Sequence, residues 1–125
     1  MILDTNALSA LADGDEKLAD RLDEDPLPAV PVIVLGEYRY GIRNSRHRAA
    51  YESWLNENLP GFAVLSIDAA TAVAYAELRH ELKALGKAIP ENDIWIAALA
   101  RQHRLPVLSR DQHFSFVPKL QHLDW

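Results

Sequence analysis

The fold is decided by one stretch, residues 90–111, which read PENDIWIAALARQHRLPVLSRD. Its first part predicts a helix that begins at residues 90–93, because proline and acidic residues in the first turn are typical of helix starts. Residues 105–109 then predict a short buried strand that ends just before Asp111. A helix followed by a buried strand is the repeating unit of a parallel α/β sheet.

The same alternation extends from this stretch towards the amino terminus and to the last residues. Short apolar runs predict strands at residues 1–4, 62–67 and 120–123, and residues 29–32 form either another strand or a helix opened by Pro31. Helices are predicted at residues 7–12, which Asn6 could cap, and at 18–22, 33–43 and 46–59, and a longer one begins at Asp68 or Thr71 and ends near Gly86. We therefore predict an α/β fold, a three-layer α/β/α sandwich with a central parallel sheet of four or five strands, in a single domain spanning residues 1–125.

Composition excludes several classes of protein. Hydrophobic residues make up 49% of the 125 residues and charged residues 25%, which is typical of a globular chain rather than a disordered one. There is no cysteine, so a disulfide framework and a thiolate zinc site are excluded. No apolar run approaches the roughly 20 residues that a membrane span needs, and the first residues do not resemble a leader, so we expect a cytoplasmic protein without membrane contact. The net charge of -5 counts against a nucleic-acid binder, unless some of the carboxylates hold a metal ion that attracts phosphate.

Four carboxylates stand at positions where α/β folds place their sites. Asp4 and Asp111 each follow a predicted strand, and ligands bind beyond the carboxyl ends of parallel strands. Glu37 lies on the same face of a predicted apolar helix as Ile33 and Tyr40. Asp93 lies in the first turn of another predicted helix. Each residue alone has a purely structural interpretation: Asp4 and Asp111 as turn residues, Asp93 as a complement to the helix dipole, and Glu37 as the partner of a nearby arginine.

Together, these four carboxylates predict a metal site. If they converge, their negative charge requires a cation, and an oxygen-only donor set favours Mg²⁺ or Mn²⁺ over Zn²⁺. The five histidines show no ligand spacing, and we interpret them as surface or structural residues. The chemistry that such a site supports is activation of water and neutralisation of charge on a phosphodiester.

Four motifs, in this order, resemble those of the PIN-domain VapC toxins of type II toxin–antitoxin (VapBC) systems: LDTN at residues 3–6, GE at 36–37, IPENDIWIAA at 89–98 and SRDQHF at 109–114. The first and third motifs are the most specific. The resemblance extends over essentially the whole chain, and it implies a PIN-like fold with endoribonuclease activity that depends on Mg²⁺ or Mn²⁺. It also implies a homodimer, and neutralisation by a small VapB-like antitoxin that covers the active site.

The resemblance also implies roles for individual residues. Carried over by position, the catalytic residues are Asp4, Glu37, Asp93 and Asp111. Asp4 and Asp93 would be the metal ligands, whereas direct metal binding by Asp111 stays open. Asn6 and Ser109 would be supporting polar residues that orient ligands or water. The RNA that is cut, the number of metal ions and the identity of the antitoxin are not predicted by the sequence.

Arginines near the acidic motifs are candidate contacts for RNA phosphates, namely Arg43, Arg46 and Arg110. The competing interpretation is a solvated surface with local ion pairs, which contribute little to stability.

Two further functions stay open. One is a catalytically silent PIN module that acts through protein contacts, although such a module does not need all four acidic positions. The other is an Asp-dependent phosphatase or receiver domain, but the phosphatase pattern expects a second aspartate where Asn6 stands.

Overall fold

The computed structural model describes residues 1–125 and contains a central sheet of five parallel strands. In chain order these strands are β1 (Ile2–Leu3), β2 (Ala29–Pro31), β3 (Ala63–Leu65), β4 (Val107–Leu108) and β5 (His122–Leu123). Their order across the sheet is β3-β2-β1-β4-β5, which places β1 at the centre. The predicted parallel sheet is therefore confirmed, with five strands.

Six α-helices flank the sheet, in agreement with the predicted three-layer sandwich. They are α1 (Thr5–Ala12), α2 (Glu16–Leu22), α3 (Val32–Ile42), α4 (Arg48–Asn58), α5 (Ala69–Ala84) and α6 (Glu91–His103). Two short 3₁₀ turns, Leu59–Gly61 and Gln112–Phe116, complete the chain. None of the helices combines the length and apolar character that a bilayer crossing requires.

The core lies on both faces of the sheet, because successive side chains of a strand point to opposite faces. Ile2 and Val107 belong to the larger apolar cluster, which also includes residues of α3, α5 and α6. Leu3 and Leu108 belong to a smaller cluster on the other face, with Leu18 of α2. All four strand residues are fully buried, which explains why the strands read as continuous apolar runs rather than as alternating ones.

The structure differs from the sequence expectations at several element ends. Asp4, not Asn6, caps α1, and its side chain accepts a hydrogen bond from the Ala7 N–H at 2.8 Å. Pro31 ends β2 and precedes α3, whose first residue is Val32. Residues 29–32 are therefore a strand and a helix start in immediate succession, because proline at a strand end and before a helix loses no hydrogen bond that either element requires.

The direction in which successive strands are added to the sheet reverses between β1 and β4. The chain proceeds from β1 outwards to β2 and β3, and then returns to place β4 on the other side of β1. Such a switch point leaves a crevice beyond the carboxyl ends of the two strands, where α/β folds bind their ligands. Asp4 directly follows β1, and Ser109 directly follows β4, so the topology brings these two residues together.

Candidate active site

Ser109 connects the ends of β1 and β4. Its hydroxyl donates a hydrogen bond to Asp4 Oδ2 and accepts one from the Asp111 N–H at 2.8 Å. Both Asp4 and Ser109 are buried, with 4% and 0% of their surface exposed. Burial raises the pKa of the Asp4 carboxyl, and the hydrogen bonds from Ser109 and the Ala7 N–H offset part of that rise. Asp4 is thus held rigidly in the crevice, with both oxygens already accepting a hydrogen bond.

Asp93, Asp111 and His113 form the one group of potential metal ligands in the chain, and their ligand atoms all lie within 4.8 Å of one another. Asp93 is contributed by the first turn of α6, and Asp111 precedes the 3₁₀ turn that carries His113. His113 Nδ1 lies 2.7 Å from Asp111 Oδ1 and 3.9 Å from Asp93 Oδ2. The group forms because the start of helix α6 and the loop after β4 lie at the same edge of the sheet.

The electrostatics of this group are those of a site for a cation. Burial, followed by the charge of Asp111, raises the pKa of Asp93 to about 7. Burial also raises the pKa of Asp111, but the N–H and ring of His113 outweigh it and leave that pKa below its usual value. None of the ion pairs in the chain places a lysine or arginine on Asp4, Asp93 or Asp111. A divalent metal ion fits this donor set, because it would balance charge that the protein itself leaves unbalanced.

Glu37 is positioned by the residue that follows Asp4. Thr5 Oγ1 donates to Glu37 Oε1 at 2.9 Å, so Glu37 does not form the arginine pair that its structural interpretation requires. Both residues line a pocket of about 210 Å³ between α1, α3 and α4, together with Tyr38 and Tyr51. The Tyr38 hydroxyl is buried in the structure without a hydrogen-bond partner.

The other residues singled out by the sequence lie outside the group. Asn6 is exposed on α1, and its side chain makes no hydrogen bond to another residue. Arg43 and Arg46 are exposed in the turn between α3 and α4 and take no part in an ion pair. Arg110 is already engaged, since its guanidinium pairs with Asp124 at 3.3 Å and lies 4.3 Å from the centre of a Trp125 ring.

Two arginines near the later acidic motifs in sequence are distant from them in space. Arg101 pairs with Glu81, and Arg104 ends α6, so both lie at the opposite end of that helix from Asp93. They line a cavity of about 750 Å³, together with Lys119 and the residues Leu105 and Pro106 that precede β4. Their proximity to Asp93 in sequence does not bring them near it in space, because a helix of 13 residues separates its two ends by roughly 20 Å.

Sequence reasoning missed two residues of the site. The interpretation of all five histidines as surface or structural residues overlooked His113, which lies in the group with Asp93 and Asp111. The only sequence signal was its position two residues after Asp111, where a turn brings the two side chains together. Thr5 was also overlooked, because the hydrogen bond of its hydroxyl to Glu37 joins residues 32 apart in sequence.

Comparisons with known proteins agree with this geometry. The sequence model of the PIN domain family matches residues 1–120 of the chain. The chain is 32% identical to Ribonuclease VapC4 of Mycobacterium tuberculosis, over 93% of this chain and 96% of the relative. It is 34% identical to Toxin FitB of Neisseria gonorrhoeae, over 89% and 87% of the two chains. Among solved structures, VapBC2 from Rickettsia felis, bound to a DNA fragment from its promoter, superposes with a TM-score of 0.90 at 26% identity and covers 99% of this chain and 97% of that one.

Proposed function

The chain belongs to the PIN-domain family, to which its VapC ribonuclease relatives also point, and on that premise we propose a specific function for it. It is the toxin of a type II toxin–antitoxin system and an endoribonuclease that depends on Mg²⁺ or Mn²⁺, built as a single PIN domain over residues 1–125. One observation carries the proposal most: Asp93 and Asp111 converge beside the buried Asp4 at the switch point of the sheet, with no lysine or arginine to balance them.

Each residue of the acidic site would have its own role in RNA cleavage. Asp4 and Asp93 would be metal ligands, Asp111 would join them because it lies beside Asp93, and Ser109 would hold the Asp4 side chain and the Asp111 backbone in place. Glu37, held by Thr5, would accept a hydrogen bond from the attacking water or from the ribose. A bound Mg²⁺ or Mn²⁺ supplies acidity to a water molecule and neutralises charge on the phosphodiester.

The RNA would approach along the turn that follows α3. Arg43 and Arg46 are exposed in this turn and free of ion pairs, so their guanidinium groups are available to contact phosphates. Arg110 would join them only by leaving Asp124 and Trp125. A bound metal ion that attracts phosphate, together with these available arginines, would also account for RNA cleavage by a chain whose net charge is -5.

The names of solved relatives support one protein partner, an antitoxin. The superposed structure from Rickettsia felis is that of VapBC2, and another solved relative is named a toxin–antitoxin complex from Klebsiella pneumoniae. We therefore propose that a small VapB-like antitoxin binds this chain and covers the acidic group. We also propose that the toxin is a homodimer. Both proposals, the antitoxin and the homodimer, are tested by mass measurement. The mass is measured for the purified toxin alone and for the toxin coexpressed with a small open reading frame next to its gene.

Cleavage of a labelled RNA by the purified chain tests the proposed activity. We expect cleavage with Mg²⁺ or Mn²⁺, none with EDTA, and a loss of at least about 100-fold in Asp93→Asn, since the removed carboxylate contributes both charge and a ligand. Asp20→Asn, which removes an exposed carboxylate of α2, is the matched control and should retain full activity. Absence of cleavage with every metal, from a protein that still binds its antitoxin, would instead identify a catalytically silent PIN module.

A further inference from the structure

The imidazole of His113 is placed between two carboxylates from different parts of the chain. Its Nδ1 atom lies 2.7 Å from Asp111 Oδ1 and 3.9 Å from Asp93 Oδ2. The ring packs edge-on against Phe116, with centroids 6.3 Å apart, and the side chain is 44% exposed. The ring is therefore held with one nitrogen directed into the acidic group and its remaining edge open to solvent.

These distances fall close to the range found between ligands of one metal ion. Donor atoms bound at about 2.1 Å lie about 3 Å apart when adjacent in an octahedron and about 4.2 Å apart when opposite. The separation of 2.7 Å is close to the first value, and 3.9 Å lies between the two. Only small side-chain movements would bring all three atoms to one ion. A histidine that served merely to pair with Asp111 would not need to face Asp93 as well.

A nitrogen ligand changes which metal the site prefers. Carboxylate oxygens suit Mg²⁺, whereas an imidazole favours transition ions, for which affinity also rises along the first-row series. A site made of Asp93 and Asp111 alone would discriminate weakly between Mg²⁺ and Mn²⁺. The addition of a neutral nitrogen donor gives Mn²⁺ an advantage without adding the negative charge that Mg²⁺ would use.

We propose that His113 is a metal ligand through Nδ1, and that it makes the group Asp93–Asp111–His113 selective for Mn²⁺ over Mg²⁺. This inference rests on the proposed metal-dependent function. It goes beyond that function in naming a nitrogen ligand and the preferred ion. The exposed edge of the ring fits this role, because it leaves room for the water molecules and phosphate oxygens that complete the shell of such an ion.

Binding of the metal alone, without RNA, tests the proposal. Mn²⁺ and Mg²⁺ are titrated calorimetrically into the full chain and into three variants: His113→Gln, His113→Asp and the control His103→Gln, which changes an exposed histidine at the end of α6. We expect His113→Gln to weaken Mn²⁺ binding on the order of 10-fold and Mg²⁺ binding much less. His113→Asp should restore tight binding but shift the preference towards Mg²⁺, and His103→Gln should bind both ions like the wild type.

Pulsed electron paramagnetic resonance of the Mn²⁺-loaded chain gives a second readout, since it detects a coordinated nitrogen directly. The nitrogen signal should be present in the wild type and in His103→Gln, and absent in His113→Gln. Tight Mn²⁺ binding without a nitrogen signal would overturn the assignment of His113 and leave the metal-dependent function intact. Failure of the wild type to bind either ion, while Asp93→Asn behaves the same way, would overturn both. Thermal unfolding of each variant checks that the fold is retained.

Discussion

Ser109 shows how one hydroxyl organises two acidic residues. It is fully buried, donates to Asp4 and accepts from the Asp111 N–H at 2.8 Å. We expect Ser109→Ala to lower the free energy of unfolding by about 1–3 kcal/mol, because it leaves a buried carboxylate and a backbone N–H without partners. Denaturant unfolding measures this change. Ser115→Ala, which removes an exposed hydroxyl, should cost less than about 0.5 kcal/mol, and equal costs for the two variants would contradict the role of Ser109.

Asp93 should make the metal-free protein less stable at high pH. Burial and the charge of Asp111 raise the pKa of Asp93 from 3.8 to about 7 in the folded state. The stability contributed by this group is therefore fully present below pH 3.8 and is lost as the pH rises through about 7. Since one pKa unit corresponds to about 1.4 kcal/mol, we expect Asp93→Asn to stabilise the metal-free chain on the order of 1–3 kcal/mol at pH 8.

Denaturant unfolding in EDTA at pH 4, 6 and 8 checks this expectation. The stabilisation by Asp93→Asn should shrink towards pH 4 and should reverse at pH 8 when Mn²⁺ is added, because the ion binds the wild type better. Asp20→Asn serves as the control and should give no stabilisation at pH 8. A wild type that is as stable as Asp93→Asn at pH 8 without metal would mean that Asp93 is already neutralised by another group.

At the level of the elements, helix α6 contributes Asp93 to the site in its first turn and ends in a strained backbone conformation. Arg104 ends the helix with φ of 55°, in the left-handed region that glycine adopts without cost. We expect Arg104→Gly to stabilise the chain by about 0.5–1 kcal/mol. His103→Gly, one residue earlier within the helix, should destabilise it by about 1 kcal/mol. Thermal or denaturant unfolding of the pair checks the difference, and the same sign for both would contradict the argument.

The turn between α3 and α4 carries Arg43 and Arg46, which we propose to contact RNA phosphates. Charge reversal at Arg43 or Arg46 should weaken RNA binding by about 10-fold and reduce the slope of log affinity against log salt by about 0.7 for each phosphate that the variant no longer neutralises. Filter binding in an inactive Asp93→Asn background measures both quantities. Arg104→Glu, at the far end of α6, is the control and should change neither. Unaltered binding in the Arg43 and Arg46 variants would show that the RNA follows another path.

The elements themselves were largely readable from the sequence, but their ends were not. Because a buried parallel sheet requires apolar runs, such runs predict four of the five strands, whereas residues 29–32, which contain β2, allow either a strand or a helix start. The run at residues 62–67 became the shorter strand Ala63–Leu65, since only the hydrogen-bonded part of a run counts as strand. The capping role went to Asp4 rather than Asn6, because either residue type can cap a helix and only the backbone geometry decides between them.

For the whole molecule, the order of the strands is what turns scattered acidic residues into a site. β1 and β4 are neighbours in the sheet although they lie near opposite ends of the sequence, and this pairing brings Asp4, Ser109 and Asp111 together. Motif order allowed Asp4, Asp93 and Asp111 to be proposed from the sequence. The proximity of His113 to these residues could not be predicted from the sequence, because it depends on the turn that brings the His113 ring to Asp111 and Asp93.

The central claim concerns the whole molecule in a cell, and induced expression in a bacterial host that lacks the antitoxin tests it most directly. Growth and newly formed RNA 5′ ends are compared between the wild type, Asp93→Asn and Asp20→Asn, with expression levels matched. The account predicts growth arrest and discrete new 5′ ends in the wild type and in Asp20→Asn, and neither in Asp93→Asn. Normal growth without new 5′ ends from well-expressed, folded wild type, or equal cleavage by Asp93→Asn, would contradict it.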